Sequence, residues 1–164
     1  VSKELIEVIG VDPGNTGALV YFNGDTIDAL KMPLNEKKFT CYESVWEFLL
    51  KYPNAHVFLE RAAGYGQGAS AAFTYGRGFS ALEIAISLSD LSVTYIEPRK
   101  WTKVIHQGIN KDLKPKAKSV IAINRLYPKL IQFIPKGPRS GKLDEGVVDA
   151  LLIAGYGYNA FKGM

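Results

Sequence analysis

Apolar positions cluster in short runs over the first third of the chain and at helical spacing over most of the rest. Val8-Ile9-Gly10-Val11 ends on Asp12, the turn Pro13-Gly14-Asn15-Thr16-Gly17 follows, and Ala18 to Phe22 forms a second run. Runs this short, bounded by glycine and proline, predict two strands joined by a tight turn. Asn23-Gly24 is a strong hairpin signal, and Thr26 to Met32 predicts a third strand pairing back. Residues 6–32 therefore read as a three-stranded antiparallel meander, followed by a polar linker from Leu34 to Thr40.

Tyr42 to Leu50 places Val45, Phe48 and Leu49 on one helical face, and Pro53-Asn54 stops that helix. His56 to Glu60 predicts a fourth strand that again ends on a carboxylate. Arg61 to Ser70 is too rich in glycine to be regular. Ser70 to Leu88 interleaves small residues with Phe73, Tyr75, Phe79, Leu82, Ile84 and Ile86. It predicts a long helix in spite of about 1 kcal/mol lost per interior glycine. Its small residues fit close packing, either within the chain or against a second subunit.

Leu91 to Ile96 predicts a fifth strand. Helices follow from Pro98 (with Trp101, Val104 and Ile105 apolar), from Pro115 to Leu126, and from Leu143 to Phe161. Between them lie a loop from Gln107 to Leu113 and a basic loop from Pro135 to Gly141. The order β-β-β-α-β-α-β-α-α-α predicts one α/β domain over residues 1–164. Its sheet is five-stranded and mixed, three antiparallel strands then a βαβ unit, flanked by helices. The first and fourth strands lie parallel and adjacent, so Asp12 and Glu60 end at the same edge.

Composition narrows the chemistry. Hydrophobic residues make up 47% of the 164, enough for a substantial core. A single cysteine, Cys41, and two histidines exclude an internal disulfide, a cysteine zinc site and a histidine-rich metal centre. Lys3, Glu4 and Glu7 near the start do not read as a signal peptide, and no apolar run has the length of a membrane span. The expectation is a soluble cytoplasmic protein with no membrane partner. The net charge is +4, unevenly spread: Glu97 to Lys142 holds twelve basic and two acidic residues, a balance of +10 against −6 elsewhere. Such polarity fits a polyanionic partner on one face, or more simply a solvated helical surface.

A carboxylate inside a sheet is costly unless a cation or a hydrogen-bond network satisfies it. Asp12 by itself reads equally as an aspartate capping its own turn or as a metal ligand. Glu60 on the neighbouring strand and the last helix, which opens Asp144-Glu145-Gly146-Val147-Val148-Asp149, weigh towards the ligand. Glu145 and Asp149 are four apart and share a helical face. Asp144 lies about 140° from Asp149 around the helix and fits a cap better. Acid placement at a helix N-terminus explains Asp144 and Glu145 but not Asp149, already in the second turn. Carboxylates converging without histidine or cysteine suit a hard cation such as Mg2+. A pair of such ions serves phosphodiester hydrolysis, while the basic segment from Arg99 to Lys142 holds flanking phosphates.

These residues carry a resemblance. GVDPGNTGA, FLERAAGYGQGASAAFTYGRGFSA, IEPRKW and DEGVVDALLIAGYG, in that order over nearly the whole chain, resemble the RuvC-type Holliday junction resolvases, and in particular their phage-type branch. The opening turn is shared with sugar kinases and related ATPases; the middle block is more specific. The resemblance implies a ribonuclease H-like fold and a homodimer built on the long glycine-containing helix. It implies paired hydrolytic nicks in four-way DNA junctions, leaving 5′-phosphate and 3′-hydroxyl ends, with two Mg2+ ions per site, Mn2+ as a substitute, and no nucleotide cofactor. Asp12, Glu60 and Asp149 match its metal-binding catalytic acids. Glu145 stands where the family carries another acid or a histidine just before glycine, and Asp144 is adjacent, so the helix-start ligand stays open between them. The resemblance places Arg61, Tyr65, Gln67, Arg77, Lys111, Lys114, Lys116 and Lys118 on DNA. The resemblance implies catalytic or DNA-binding roles for these lysines and does not single out which is catalytic. Bacterial members carry a base-stacking phenylalanine shortly after the strand glutamate; here that place is Ala62-Ala63, and Tyr65 is the available aromatic. The competing readings are a junction-binding protein with weak or broad branched-DNA nuclease activity, and an ATP phosphotransferase of the actin-like class.

Overall fold

The computed structural model describes residues 5–62, 68–137 and 139–164. Five strands, β1 (Val8–Asp12), β2 (Ala18–Phe22), β3 (Ile27–Lys31), β4 (His56–Glu60) and β5 (Val93–Ile96), form one sheet in the order β3-β2-β1-β4-β5. The helices are α1 (Tyr42–Leu50), α2 (Ala69–Leu88), α3 (Pro98–Ile105), α4 (Pro115–Leu126) and α5 (Glu145–Lys162). The meander β1-β2-β3 is antiparallel, and β4 joins β1 and β5 in parallel. This is the mixed, helix-flanked α/β sheet that the hydrophobic pattern predicts.

Alternation along the strands sends successive side chains to opposite faces. Ile9, Val11, Leu19, Val57 and Leu59 pack with Leu82, Ala85 and Ile86 of α2 and with α1. Val8, Val20, Phe22 and Phe58 pack with Trp101 of α3, Ile123 of α4 and the apolar side of α5. Asp12 and Glu60 have the parity of Val8 and Phe58, so both emerge on the α5 face. Val11 pairs with Leu59 across the parallel ladder, and Asp12 and Glu60 come one step later on each strand.

Helix α5 lies against β1 and β2 with little between them. A Cβ on Gly10 would stand 2.1 Å from the Ala150 carbonyl oxygen and 2.4 Å from the Ala154 nitrogen. One on Gly146 would stand 2.2 Å from the Thr16 carbonyl oxygen. The missing side chains let the helix backbone rest on the strand and on the turn after Asp12. That contact brings Asp149 down to the end of β1.

Several boundaries differ from expectation. β3 begins at Ile27 rather than Thr26, and α5 begins at Glu145 because Asp144 caps it. A 3-10 helix, Pro128–Phe133, follows α4 where the hydrophobic pattern predicts no element. It buries Leu130, and its three-residue repeat is invisible to a search at helical period. In α2, Gly78 lies against Thr40, whereas a Cβ on Gly76 would meet open space. Among the described residues no helix is long and apolar enough to cross a membrane.

Candidate active site

The carboxyl end of β1, the turn after it, the start of α5 and the first turn of α4 meet at a cleft of about 260 Å³. Asp12, Thr16, Lys116, Asp144, Glu145 and Asp149 line it. Glu60 does not line the cleft but stands beside it, close enough for its charge to act on Asp12. The structure therefore gathers all five acids that the sequence singles out, in unequal positions.

Asp12 bears the strongest perturbation. Burial first, then the carboxylates of Asp149 and Glu60, push its pKa up to about 8, against a weaker downward pull from Lys116. Burial likewise raises Glu60, opposed by a hydrogen bond from Trp101, whose Nε1–H donates to Glu60 Oε2 at 2.5 Å; the charge of Asp149 adds to the rise. Asp149 is raised by burial and by Glu145, with Ser119 and Lys116 pulling it down. Its Oδ1 is buried and has no hydrogen-bond partner. Such an atom inside a protein is costly and calls for a ligand.

The two acids at the helix start are already engaged. Asp144 Oδ1 accepts from the Val147 N–H at 3.0 Å, a standard helix cap, and Asp144 Oδ2 pairs with Lys31 at 2.7 Å. Glu145 is half-exposed and pairs with Lys116. Glu145 and Asp144 thus face lysines, and Asp12, Glu60 and Asp149 face one another. Among the described residues no group of three or more His, Cys, Asp and Glu side chains stands in ready coordinating geometry. The residues nevertheless fit a hard cation. The donors are all oxygen, three half-buried carboxylates repel each other, and one buried oxygen lacks a partner.

The basic residues predicted to meet DNA separate. Lys116 enters the cleft, and Lys114 precedes α4 beside it. Lys118 donates to the Lys111 carbonyl at 2.8 Å, fastening the loop before α4. Arg61 is exposed just beyond Glu60, with its guanidinium 6.0 Å from the Tyr95 ring centre. Arg77 lies on α2, over the Phe39 ring at 3.8 Å, away from the cleft on the opposite sheet face. Tyr65 and Gln67 lie outside the described residues.

Three supporting residues escape the sequence reading. Trp101 reads as one apolar position of α3, yet a buried indole N–H needs an acceptor, and Glu60 is it. Ser119 is a buried polar residue on an otherwise apolar helix face, which is the signal that exposes it; its hydroxyl lies 3.2 Å from His106 Nε2. Tyr75, from α2, accepts a hydrogen bond from the Ala62 N–H at 3.2 Å and so ties α2 to the end of β4.

No protein-family model matches the chain, and no curated protein sequence matches it. Among solved structures it is similar to Thermus thermophilus RuvC in complex with a Holliday junction substrate, at a TM-score of 0.60 and 16% identity, over 97% of both chains. It is similar to a second Thermus thermophilus RuvC structure at a TM-score of 0.59 and 17% identity, over 96% of this chain and 97% of that one. At these identities the likeness establishes a common fold along essentially the full length of each.

Proposed function

We propose that the chain is a structure-selective endodeoxyribonuclease that resolves four-way DNA junctions by paired, metal-dependent hydrolytic nicks. The observation that carries this reading is the cluster of Asp12, Glu60 and Asp149 at one sheet edge, with a buried Asp149 oxygen lacking a partner. The fold shared with a RuvC structure solved on a Holliday junction supports the choice of substrate.

Asp12, Glu60 and Asp149 would hold the divalent cations, with Glu145 reaching them only by leaving Lys116. When bound, Mg2+ or Mn2+ supplies Lewis acidity at the phosphoryl group and a reactive water for in-line displacement. The protein's own side chains do the positioning. Trp101 favours the ionised form of Glu60 by donating to it, against the burial that raises its pKa. Lys116 presents a cation at the cleft mouth, where charge builds on the phosphate in the transition state. The products are a 5′-phosphate and a 3′-hydroxyl.

A homodimer completes the scheme, because paired nicks across a two-fold junction need two sites. Its proposed interface is α2, where Phe73 is 64% and Ile84 51% exposed and Gly76 faces open space. Incubation of the protein with a synthetic four-way junction and with linear duplex, each with and without Mg2+, tests the reading. Metal-dependent nicking confined to the junction supports it. Binding without nicking favours the junction-binding alternative, and equal cutting of linear duplex contradicts the structure selectivity.

A further inference from the structure

A second depression lies beside the cleft, between α4 and the segment leading into α5. It encloses about 840 Å³, and its floor includes Ala117, Val120, Ile121, Ile131 and Leu143. Val120 and Ile121 are 38% and 43% exposed, so an apolar stripe of α4 has no partner within the described chain. Lys114, Lys116, Lys136 and Lys142 stand along the walls. Lys116 and Glu145 line this groove and the carboxylate cleft alike, so the two lie side by side across that ion pair.

An apolar floor with cationic walls matches a nucleotide in both its parts: a flat, weakly polar base and a charged phosphate. A second protein chain would meet four lysines against one acid, Glu145, which already pairs with Lys116. Adjacency to the cleft narrows the occupant further. A strand whose phosphodiester lies among Asp12, Glu60 and Asp149 has its neighbouring nucleotide at the groove. We propose that the groove of Val120, Ile121, Ile131 and Leu143 is a binding site for an unpaired base next to the scissile phosphate, with Lys136 and Lys142 on the flanking phosphates. This site rests on the nuclease reading above. Branched DNA supplies the ligand, because bases at a junction leave their stack at less cost than those within a duplex.

The test uses the full chain and synthetic four-way junctions carrying 2-aminopurine singly at each of the nucleotides flanking the mapped nick, without divalent metal. Binding brightens the probe severalfold at one position on one side of the nick. Val120→Glu abolishes the brightening and weakens junction binding about tenfold, with an unchanged circular dichroism spectrum. The wild-type scan stands alone should that variant fail to fold. Junction binding and nicking with flat fluorescence at every position overturns the base site and leaves the nuclease reading intact. Failure to bind junctions at all overturns both. Persistent brightening in Val120→Glu, accompanied by conversion of a dimer to a monomer, assigns the groove to a second copy and also overturns the proposal.

Discussion

The indole N–H of Trp101 donates to Glu60 Oε2 at 2.5 Å, fastening a carboxylate at the end of β4 to the first helix after β5. This bond opposes the burial that raises the pKa of Glu60. Trp101→Phe keeps the packing and removes the donor. Partners that orient ligands are worth about 10- to 100-fold in metal affinity or activity. The expected outcome is a rise of that order in the Mg2+ concentration giving half-maximal nicking, with the junction dissociation constant unchanged. A Mg2+ titration of the wild type and the variant checks it.

The acid cluster makes a signed prediction about pH. Asp12 has a pKa of about 8 in the metal-free fold against 3.8 for the ordinary side chain. Between those values the folded state holds the extra proton, so this group's contribution to stability falls as pH rises from about 4 to about 8. Asp12→Asn removes that loss. It is expected to stabilise the metal-free protein at pH 8 by roughly 1–3 kcal/mol, or by about 2–10 °C in Tm, and to change little at pH 4. Thermal unfolding in EDTA at both pH values measures this.

The same proton must leave when a cation arrives. Metal binding at pH 7 therefore releases protons, and affinity climbs with pH towards about 8. Calorimetric titration of Mn2+ in two buffers of different ionisation enthalpy reads the release as a difference in apparent heat. Equal heats in the two buffers contradict the assignment of the proton to Asp12.

Gly10 and Gly76 predict opposite outcomes for one substitution. Gly10→Ala drives a methyl into the α5 backbone and is expected to destabilise by about 1–3 kcal/mol or more, with loss of nicking as Asp149 is displaced. Gly76→Ala meets nothing within the chain, so monomer stability holds or rises slightly with helix propensity. If α2 is the subunit contact, Ile84→Arg lowers the sedimenting mass from dimer to monomer without unfolding. Urea unfolding and analytical ultracentrifugation distinguish these cases.

Most of the architecture was readable from the residues because strand and helix periods are strong and proline and glycine mark their ends. Asp12 and Glu60 were legible as neighbours once the first and fourth strands were taken as parallel. Asp149 was legible because a cap explanation reaches Asp144 and Glu145 but not the second helical turn. What escaped depends on tertiary contact. No local pattern reports that Lys31, at the far end of the meander, pairs with Asp144, or that Lys116 rather than Lys111, Lys114 or Lys118 enters the cleft. The polarity of Trp101 was hidden by its place on an apolar face, and the 3-10 helix by its shorter period.

The proposed hydrolytic centre on branched DNA is Asp12, Glu60 and Asp149 acting together. Its most direct test is Asp12→Asn assayed on a labelled four-way junction with Mg2+, beside a gel-shift measurement of junction binding. Nicking is expected to disappear while the dissociation constant stays within about threefold, well under the tenfold that about 1.4 kcal/mol represents. Nicking by Asp12→Asn at a near wild-type rate would contradict it.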